Sequence, residues 1–372
     1  MVLEKDCVLY KRVIPLLDST GHNISYEITV KINELIGNID EARVEKIFGI
    51  ISEHERVSYI NEIAFREAFF SARLGGAHIF EADAREALRT GKGIDTGRLV
   101  LINNYNTLKN IYAAYDREIN DTVTLLLYRL LYRNLVDESI LNGYKLRSTC
   151  VWDVRHNSIA FVESDAEGEM KRINEFTGYF NGCEINPLIK SCILYYYFLE
   201  NGPFYKGNDR IGRMLLNEFL LKNHYKFIKC FSISKLLYES RNKFNEIFES
   251  CREKHCITKF IEAMLELYYR GSKIIYERYK NSFGMEIVDR VLRSNGEGLS
   301  KYQHRTLNKI ASGKINAISI SEYQELAKLS YRGARQELEH MVLLGYFKRI
   351  KDGKKYIYIL NDIEKIGDIT IS

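Results

Sequence analysis

The residues of this chain best suited to chemistry lie together in Gly202-Pro203-Phe204-Tyr205-Lys206-Gly207-Asn208-Asp209-Arg210-Ile211-Gly212-Arg213. Gly207-Asn208 can turn the backbone so that successive N–H groups converge, and a helix starting there aims its positive end at the same point. Arg210 and Arg213, three apart on that helix, can approach one polyphosphate from the same side, and Lys206 adds a third cation. The segment has no His and no Cys, and Asp209 is its only carboxylate. These residues suit anion binding and not proton transfer. Lys206, Gly207, Asn208, Asp209, Arg210 and Arg213 are the expected phosphate-binding set, and no metal ligand is assigned. Lys206 and Asp209, opposite in charge and three apart, are expected to pair with each other.

Helices must position that loop. Up to about residue 280 apolar residues recur at helical spacing, as in Ile28 to Ile36, Val44 to Ile51, Ile60 to Ala72, Leu99 to Tyr115 and Thr122 to Leu135. One stretch alternates instead. Cys150 to Val154, a polar His156-Asn157-Ser158 turn and Ile159 to Val162 predict a β-hairpin. Pro187 suits the first turn of a helix, and Leu188 to Leu199, apolar nearly all round, is expected to be the buried central helix. Asp209 to Lys222 follows the loop as a helix, and Tyr268 to Phe283 is a polar helix suited to joining domains. Beyond it come short helices at Met285 to Leu292 and Tyr302 to Ile310, a strand at Ile318 to Ile320 and a helix at Ser321 to Leu329. A Ser330-led helix then stops at Gly345, and a hairpin turns at Lys351 to Lys354. That order is a winged helix-turn-helix.

Length bounds the answer further: 372 residues suggest two or three domains. Apolar content of 46% with 28% charged residues excludes a disordered chain. The apolar run Cys192 to Leu199 is too short to span a bilayer, and the N-terminal residues lack the apolar core of a secretory signal. Seven cysteines without a Cys-x-x-Cys pair read as buried free thiols in a reducing cytoplasm, and zinc is not expected. Net charge is +5, and most of the excess falls beyond Met285, which permits a nucleic-acid partner there.

On these residues the chain resembles the Fic (Fido) family, whose signature reads H-x-F-x-[D/E]-G-N-[G/K]-R-x-x-R. Phe204, Gly207, Asn208, Arg210 and Arg213 match it, as do Asn186-Pro187-Leu188 before the loop and Met214-Leu215 after it. The resemblance implies a mainly α fold: a Fic helical core with a β-hairpin flap, followed by the winged helix. It places an N-terminal helical region at 1–95, the Fic core at 96–280 and the winged helix at 285–372. Glu67 to Gly76 resembles the segment carrying the family's inhibitory motif [S/T]-x-x-x-E-[G/N], here Ser71-Ala72-Arg73-Leu74-Gly75-Gly76. Val151, Trp152 and Asp153 sit where the family's flap holds a target protein.

In the family the motif His deprotonates a hydroxyl of the target protein, which attacks the α-phosphate of ATP, and the acidic residue binds Mg²⁺. Here Gly202 stands at the His position, Lys206 at the acidic position, and Gly75 replaces the inhibitory Glu that would pair with the second motif arginine. Base, metal ligand and inhibitor are thus missing together. General-base help is worth roughly 10²–10⁴-fold and the metal several kcal/mol more, so protein adenylyltransferase (AMPylase) activity is expected to be weak or absent. Binding of ATP or another nucleotide with little need for Mg²⁺ is expected to survive. Putting His at 202 and Asp at 206 is expected to restore transfer.

Two other readings stay open. One is an active adenylyltransferase using Glu200, Tyr195 or His156 as a substitute base. The other is a DNA-binding regulator with the Fic core as scaffold, in which Arg332, Arg335 and Gln336 enter a groove and Lys351, Lys354 and Lys355 meet phosphates. Glu337 and Glu339 dilute that charge, and a protein-contact role is the competing reading. The expected partners are a nucleotide or phosphorylated ligand, a protein target at the flap and DNA at the tail. No membrane partner is expected, and a homodimer is compatible with the sequence.

Overall fold

The spacing that predicts a helix from Ile28 to Ile36 straddles two elements in the computed structural model, which describes residues 8–18, 21–39, 51–141, 149–153, 158–162, 166–295, 299–312, 314–315, 317–352 and 355–361. Strand β1 (Val8–Leu17) pairs antiparallel with β2 (Asn23–Thr29), with Arg12 opposite Tyr26 and Val13 opposite Ser25. Helix α1 (Val30–Asn38) starts only where Thr29 can cap it by accepting the Ile32 N–H at 3.1 Å. Ile24, Tyr26 and Ile28 of β2 alternate with Ser25, Glu27 and Thr29, but Ile28, Ile32 and Leu35 continue at helical spacing across the boundary, so the end of the strand reads as the start of the helix. The expected helix from Val44 to Ile51 falls mostly outside the described residues.

Helices α2 (Glu53–Leu74), α3 (Glu81–Thr90), α4 (Thr96–Ala113), α5 (Asp121–Tyr132) and the short α6 (Glu138–Leu141) follow. The β-hairpin falls where alternation predicts it: β3 (Thr149–Asp153) pairs with β4 (Ser158–Val162), Trp152 opposite Ile159. Its turn, with His156, lies outside the described residues. After α7 (Ala166–Gly182) comes α8 (Pro187–Asn201), begun by Asn186, whose side chain accepts the Leu188 N–H at 2.9 Å, with Pro187 as first residue. Every residue from Leu188 to Phe198 is buried, as expected of a central helix. Its antiparallel neighbour is α9 (Asn208–Lys222), buried from Arg210 to Leu221. Helices α10 (Ile233–Glu239) and α11 (Arg241–Lys254) lead to α12 (Thr258–Asn295).

The sequence reading divides that last stretch into two helices, at Tyr268 to Phe283 and Met285 to Leu292. The chain forms one helix because no proline or cap interrupts it, and Gly284 alone costs only about 1 kcal/mol relative to Ala. The chain separates into two compact units, one boundary falling between Ile275 and Tyr276. The first holds both the N-terminal helices and the motif loop.

In the second unit α13 (Lys301–Ala311), β5 (Ile318–Ser319), α14 (Ile320–Ala327), α15 (Tyr331–Leu343), β6 (Phe347–Asp352) and β7 (Lys355–Leu360) follow in order, and the sheet runs β5-β7-β6. Ser300, Ser319 and Ser330 cap the three helices, the first two in reciprocal capping boxes with Gln303 and Glu322. Leu307, Tyr323, Leu338, Met341 and Tyr358 form its buried core.

Candidate phosphate-binding site

Two aromatic rings of α5 build the floor of the motif loop. Phe204, fully buried, stacks on Tyr128 with ring centroids 4.2 Å apart, and Tyr132 lies 5.0 Å beyond. Gly207 adopts φ +78° as N-cap of α9, and a Cβ there would strike the Tyr132 hydroxyl. Left-handed backbone and close packing therefore both require glycine at this position.

Asn208 closes the loop on itself. Its Oδ1 accepts the Phe204 N–H at 3.0 Å and its Nδ2 donates to the Phe204 carbonyl at 3.0 Å. The Asn208 amide, expected on phosphate, is thus committed to bracing the loop. A Cβ at Gly202 would overlap the Asn208 side chain from Cβ outward. The position where the family carries its base is therefore occupied by a neighbour, and a His placed there must displace that brace.

The three cations are sorted by depth. Lys206 is exposed, its Nζ 5.8 Å from the centre of the Tyr132 ring, and the Arg210 guanidinium lies over the same ring at 5.2 Å. Arg210 itself is 5% exposed, and its Nε and Nη1 find no hydrogen-bond partner among the described residues. Arg213, at 2% exposure, is better held. Its Nη1 contacts Asp209 Oδ2 at 3.0 Å and the Tyr195 hydroxyl at 3.4 Å, while Nη2 donates to Ser71 Oγ at 3.1 Å.

Asp209 therefore pairs with Arg213 and not with Lys206. Four residues along a helix put the two groups one above the other, whereas Lys206 precedes the helix and points to solvent. Burial raises the Asp209 carboxyl, but Arg213 and then Arg210 outweigh it and hold it below the usual carboxylate range.

Glu67 to Gly76, the segment that resembles an inhibitory motif, meets this site at the end of α2. Ser71 lies on Arg213, and Gly76, at φ +85°, follows the last turn of the helix. A Cβ at Gly75 would stand 2.5 Å from Arg210 Nη2, so position 75 faces the first motif arginine, while Arg213 is met one turn earlier. A residue that sequence reasoning missed holds α2 in place. Glu67, 2% exposed, accepts Ser232 Oγ at 2.7 Å, the Ser234 N–H at 2.9 Å and Ser234 Oγ at 2.5 Å. A carboxylate inside the apolar stripe Ile63-Ala64-Ala68 was the available signal. Tyr128 and Tyr132 carried none, since aromatic residues at helical spacing are ordinary core.

The substitute bases fare poorly. Glu200 Oε2 is ion-paired with Arg252 Nε at 2.7 Å. Tyr195 is buried, which pushes its hydroxyl above the ordinary tyrosine value. His156 lies outside the described residues. Val151, Trp152 and Asp153 stand on β3 of the expected hairpin.

In the second unit Arg332, Arg335 and Gln336 are exposed and line one groove of α15 with Glu339 and His340. Lys351 and Lys355 are exposed on the β6–β7 hairpin, and Lys354 lies outside the described residues. The two nearby acids are engaged elsewhere. Glu337 accepts from Ser300 Oγ at 3.0 Å and from the Tyr323 hydroxyl, and Glu339 pairs with Arg349 at 2.6 Å.

Residues 119–220, from just before α5 to near the end of α9, match the Fic/DOC family. Three solved structures have the same fold. A Fic family protein from Desulfovibrio desulfuricans is 18% identical, with 91% of this chain and 98% of that one covered, at a TM-score of 0.54. A Fic domain-containing signaling protein from Bacteroides thetaiotaomicron is 15% identical over 66% of this chain and 96% of its own, TM-score 0.54. Fic-1 from C. elegans is 14% identical over 68% and 71%, TM-score 0.52. No curated protein matches. Residues 119–220, which hold the motif loop, thus match the Fic/DOC family in sequence, and the fold around them is that of these solved structures.

Proposed function

We propose that this chain is a Fic-domain protein that binds a nucleotide or another phosphorylated ligand, is impaired or inactive as a protein adenylyltransferase, and carries a winged-helix output module. The observation that carries the reading is Arg210. A buried guanidinium with two unpartnered nitrogens is costly, and an anion reaching it from the loop would satisfy one of them. Lys206 and the N-terminus of α9 add positive potential on the same side. Mg²⁺ fits poorly, because the loop's one carboxylate is drawn to Arg213 and a lysine holds the metal-ligand position. Binding then proceeds without the metal. If transfer occurred, AMP would pass from ATP to a protein hydroxyl, yet Gly202 offers no base, Glu200 is paired with Arg252 and Tyr195 is buried.

Calorimetry with ATP, ADP and inorganic phosphate, with and without EDTA, tests the proposal. Heat of binding unaffected by EDTA and lost in Arg210→Ala is expected. Absence of heat from all three, or strict Mg²⁺ dependence, overturns it. Labelling of lysate proteins with α-labelled ATP should give no signal above background.

The inward turn of Glu337 and the Glu339–Arg349 pair favour a second element of the reading, DNA binding by the C-terminal unit. With both acids engaged, the exposed charge along α15 is that of Arg332 and Arg335, more basic than the sequence suggests.

A further inference from the structure

Outside the motif loop, two side chains of the β1–β2 turn meet a third from the end of α11, more than two hundred residues away. Asp18 Oδ1 accepts the His22 N–H at 3.0 Å, and Asp18 Oδ2 lies 2.6 Å from His255 Nδ1. The chain reverses through Gly21 at φ +84°, and the Asp18 N–H donates to the His22 carbonyl at 2.8 Å, so that His22 returns over Asp18. The two imidazoles stack with centroids 4.1 Å apart. One ligating atom from each of the three residues lies within 4.8 Å of the others.

We propose that Asp18, His22 and His255 bind a first-row transition-metal ion of the Zn²⁺ class, a site separate from the phosphate loop and from any reading of it. Two imidazole nitrogens and one carboxylate oxygen are the donor set of zinc and its neighbours, whereas Mg²⁺ and Ca²⁺ prefer all-oxygen shells. Three protein donors leave a fourth position for water or an incoming ligand. A search for Cys-x-x-Cys spacing passes over such a site, because it holds no cysteine and His255 is 237 residues from Asp18.

The surroundings hold the donors as a metal's outer shell does. Asp18 is buried, with its second oxygen fixed by the His22 N–H. His255 caps α11 in the left-handed conformation, at φ +49°. Its carbonyl accepts both the Ser25 N–H at 3.0 Å and Ser25 Oγ at 3.1 Å, which ties the residue to β2. Zn–N bonds of about 2.0–2.1 Å need donors roughly 3.3 Å apart, so the spread of the three must shrink. His22 is exposed, and rotation of its ring supplies that movement.

The full chain, stripped of metal with EDTA and then freed of EDTA, is titrated with Zn²⁺ against a chromogenic chelator. Wild type is compared with His22→Ala and with His255→Asn, asparagine being tolerant of left-handed backbone. All cysteines are retained in both variants, so thiol binding cancels. Wild type should hold one more tightly bound Zn²⁺ than either variant, or bind it at least tenfold more tightly. Zn²⁺ should also raise the melting temperature of wild type, Mg²⁺ should not, and the Zn²⁺ effect should vanish in His22→Ala. His22→Ala keeps the two hydrogen bonds that the backbone at position 22 makes with Asp18, so that variant keeps the test valid if His255→Asn proves unstable. Equal Zn²⁺ stoichiometry and affinity in wild type and His22→Ala, or no binding by wild type, overturns the proposal.

Discussion

Asp209 reaches one turn up its own helix to hold Arg213, Oδ2 to Nη1 at 3.0 Å, where the family signature carries Gly or Lys in place of the acid. Gly75 stands where a family inhibitory Glu would be expected, and a carboxylate from within the motif offsets the charge of the deeper arginine instead. Asp209→Gly should therefore free one guanidinium face for phosphate. Affinity for ATP or inorganic phosphate should rise about tenfold, the ~1–2 kcal/mol of a charge-assisted hydrogen bond. Calorimetry reads it directly, and an unchanged or weaker affinity would show that the pair does not compete with ligand.

The same pair sets a pH dependence. The Asp209 carboxyl is held below its ordinary value, so the unfolded chain binds its proton first as pH falls. Its contribution to stability is complete above about pH 4, near the unfolded value, and is lost as pH drops through the folded value. Urea unfolding between pH 3 and 7 should show Asp209→Asn and wild type converging at the acid end. A difference that persists unchanged at pH 3 would mean that the ionised carboxylate is not what stabilises the fold.

Arg210 and Arg213 should respond in opposite directions to loss of charge. Replacing Arg210 by Met removes a buried cation that lacks hydrogen bonds on two nitrogens, so the ligand-free protein should melt at the same temperature or higher while phosphate binding disappears. Arg213→Met strips Asp209, Tyr195 and Ser71 of their shared partner and should cost about 3–5 kcal/mol. Melting curves of the two variants decide it. A larger loss for Arg210→Met than for Arg213→Met would reverse the assignment of ligand-facing and structural arginine.

The motif's place in the fold was legible because its residues lie in one run, where a proline-led helix, a glycine turn and arginines at helical spacing follow each other. Its interior was not. Whether Asp209 turns to Lys206 or Arg213 depends on which of them lies on the helix, and the start of α9 at Asn208 settles that only in three dimensions. The β1–β2 hairpin was hidden for a different reason: the alternation of Ile24, Tyr26 and Ile28 runs without a break into the helical spacing of Ile28, Ile32 and Leu35. Glu337 illustrates a third limit. Charge counting treats it as surface acid, while packing against α13 and α14 gives it Ser300 and Tyr323 as partners.

Gly202 and Asn208 should be energetically coupled. Gly202→Ala pushes a methyl group into the Asn208 side chain and should cost about 1–3 kcal/mol, as overpacking does. In an Asn208→Gly background the collision is gone, so the same substitution should cost far less, a coupling measurable by a double-mutant cycle. Additive losses would show that the loop yields easily at 202. In that event Gly202→His with Lys206→Asp should restore AMP transfer directly. With coupling, that double variant should stay inactive unless the brace is rebuilt.

The C-terminal unit gives the last prediction. If α15 enters a DNA groove, the first contribution is electrostatic, from Arg332, Arg335 and the hairpin lysines Lys351 and Lys355. Binding of the full chain to duplex DNA should fall steeply between about 50 and 200 mM salt through counterion release. Lys355→Ala should weaken all sequences alike and flatten the salt slope by about one unit, since a lysine on the hairpin meets phosphate. Arg335→Ala should instead relax the preference for one sequence, because a guanidinium in the groove reads base edges. Glu339→Gln adds a control from the opposite direction. It releases Arg349 from its 2.6 Å pair and should strengthen non-specific binding. A gel-shift series at low salt with no retarded band for any sequence would leave the exposed face of α15 to a protein partner.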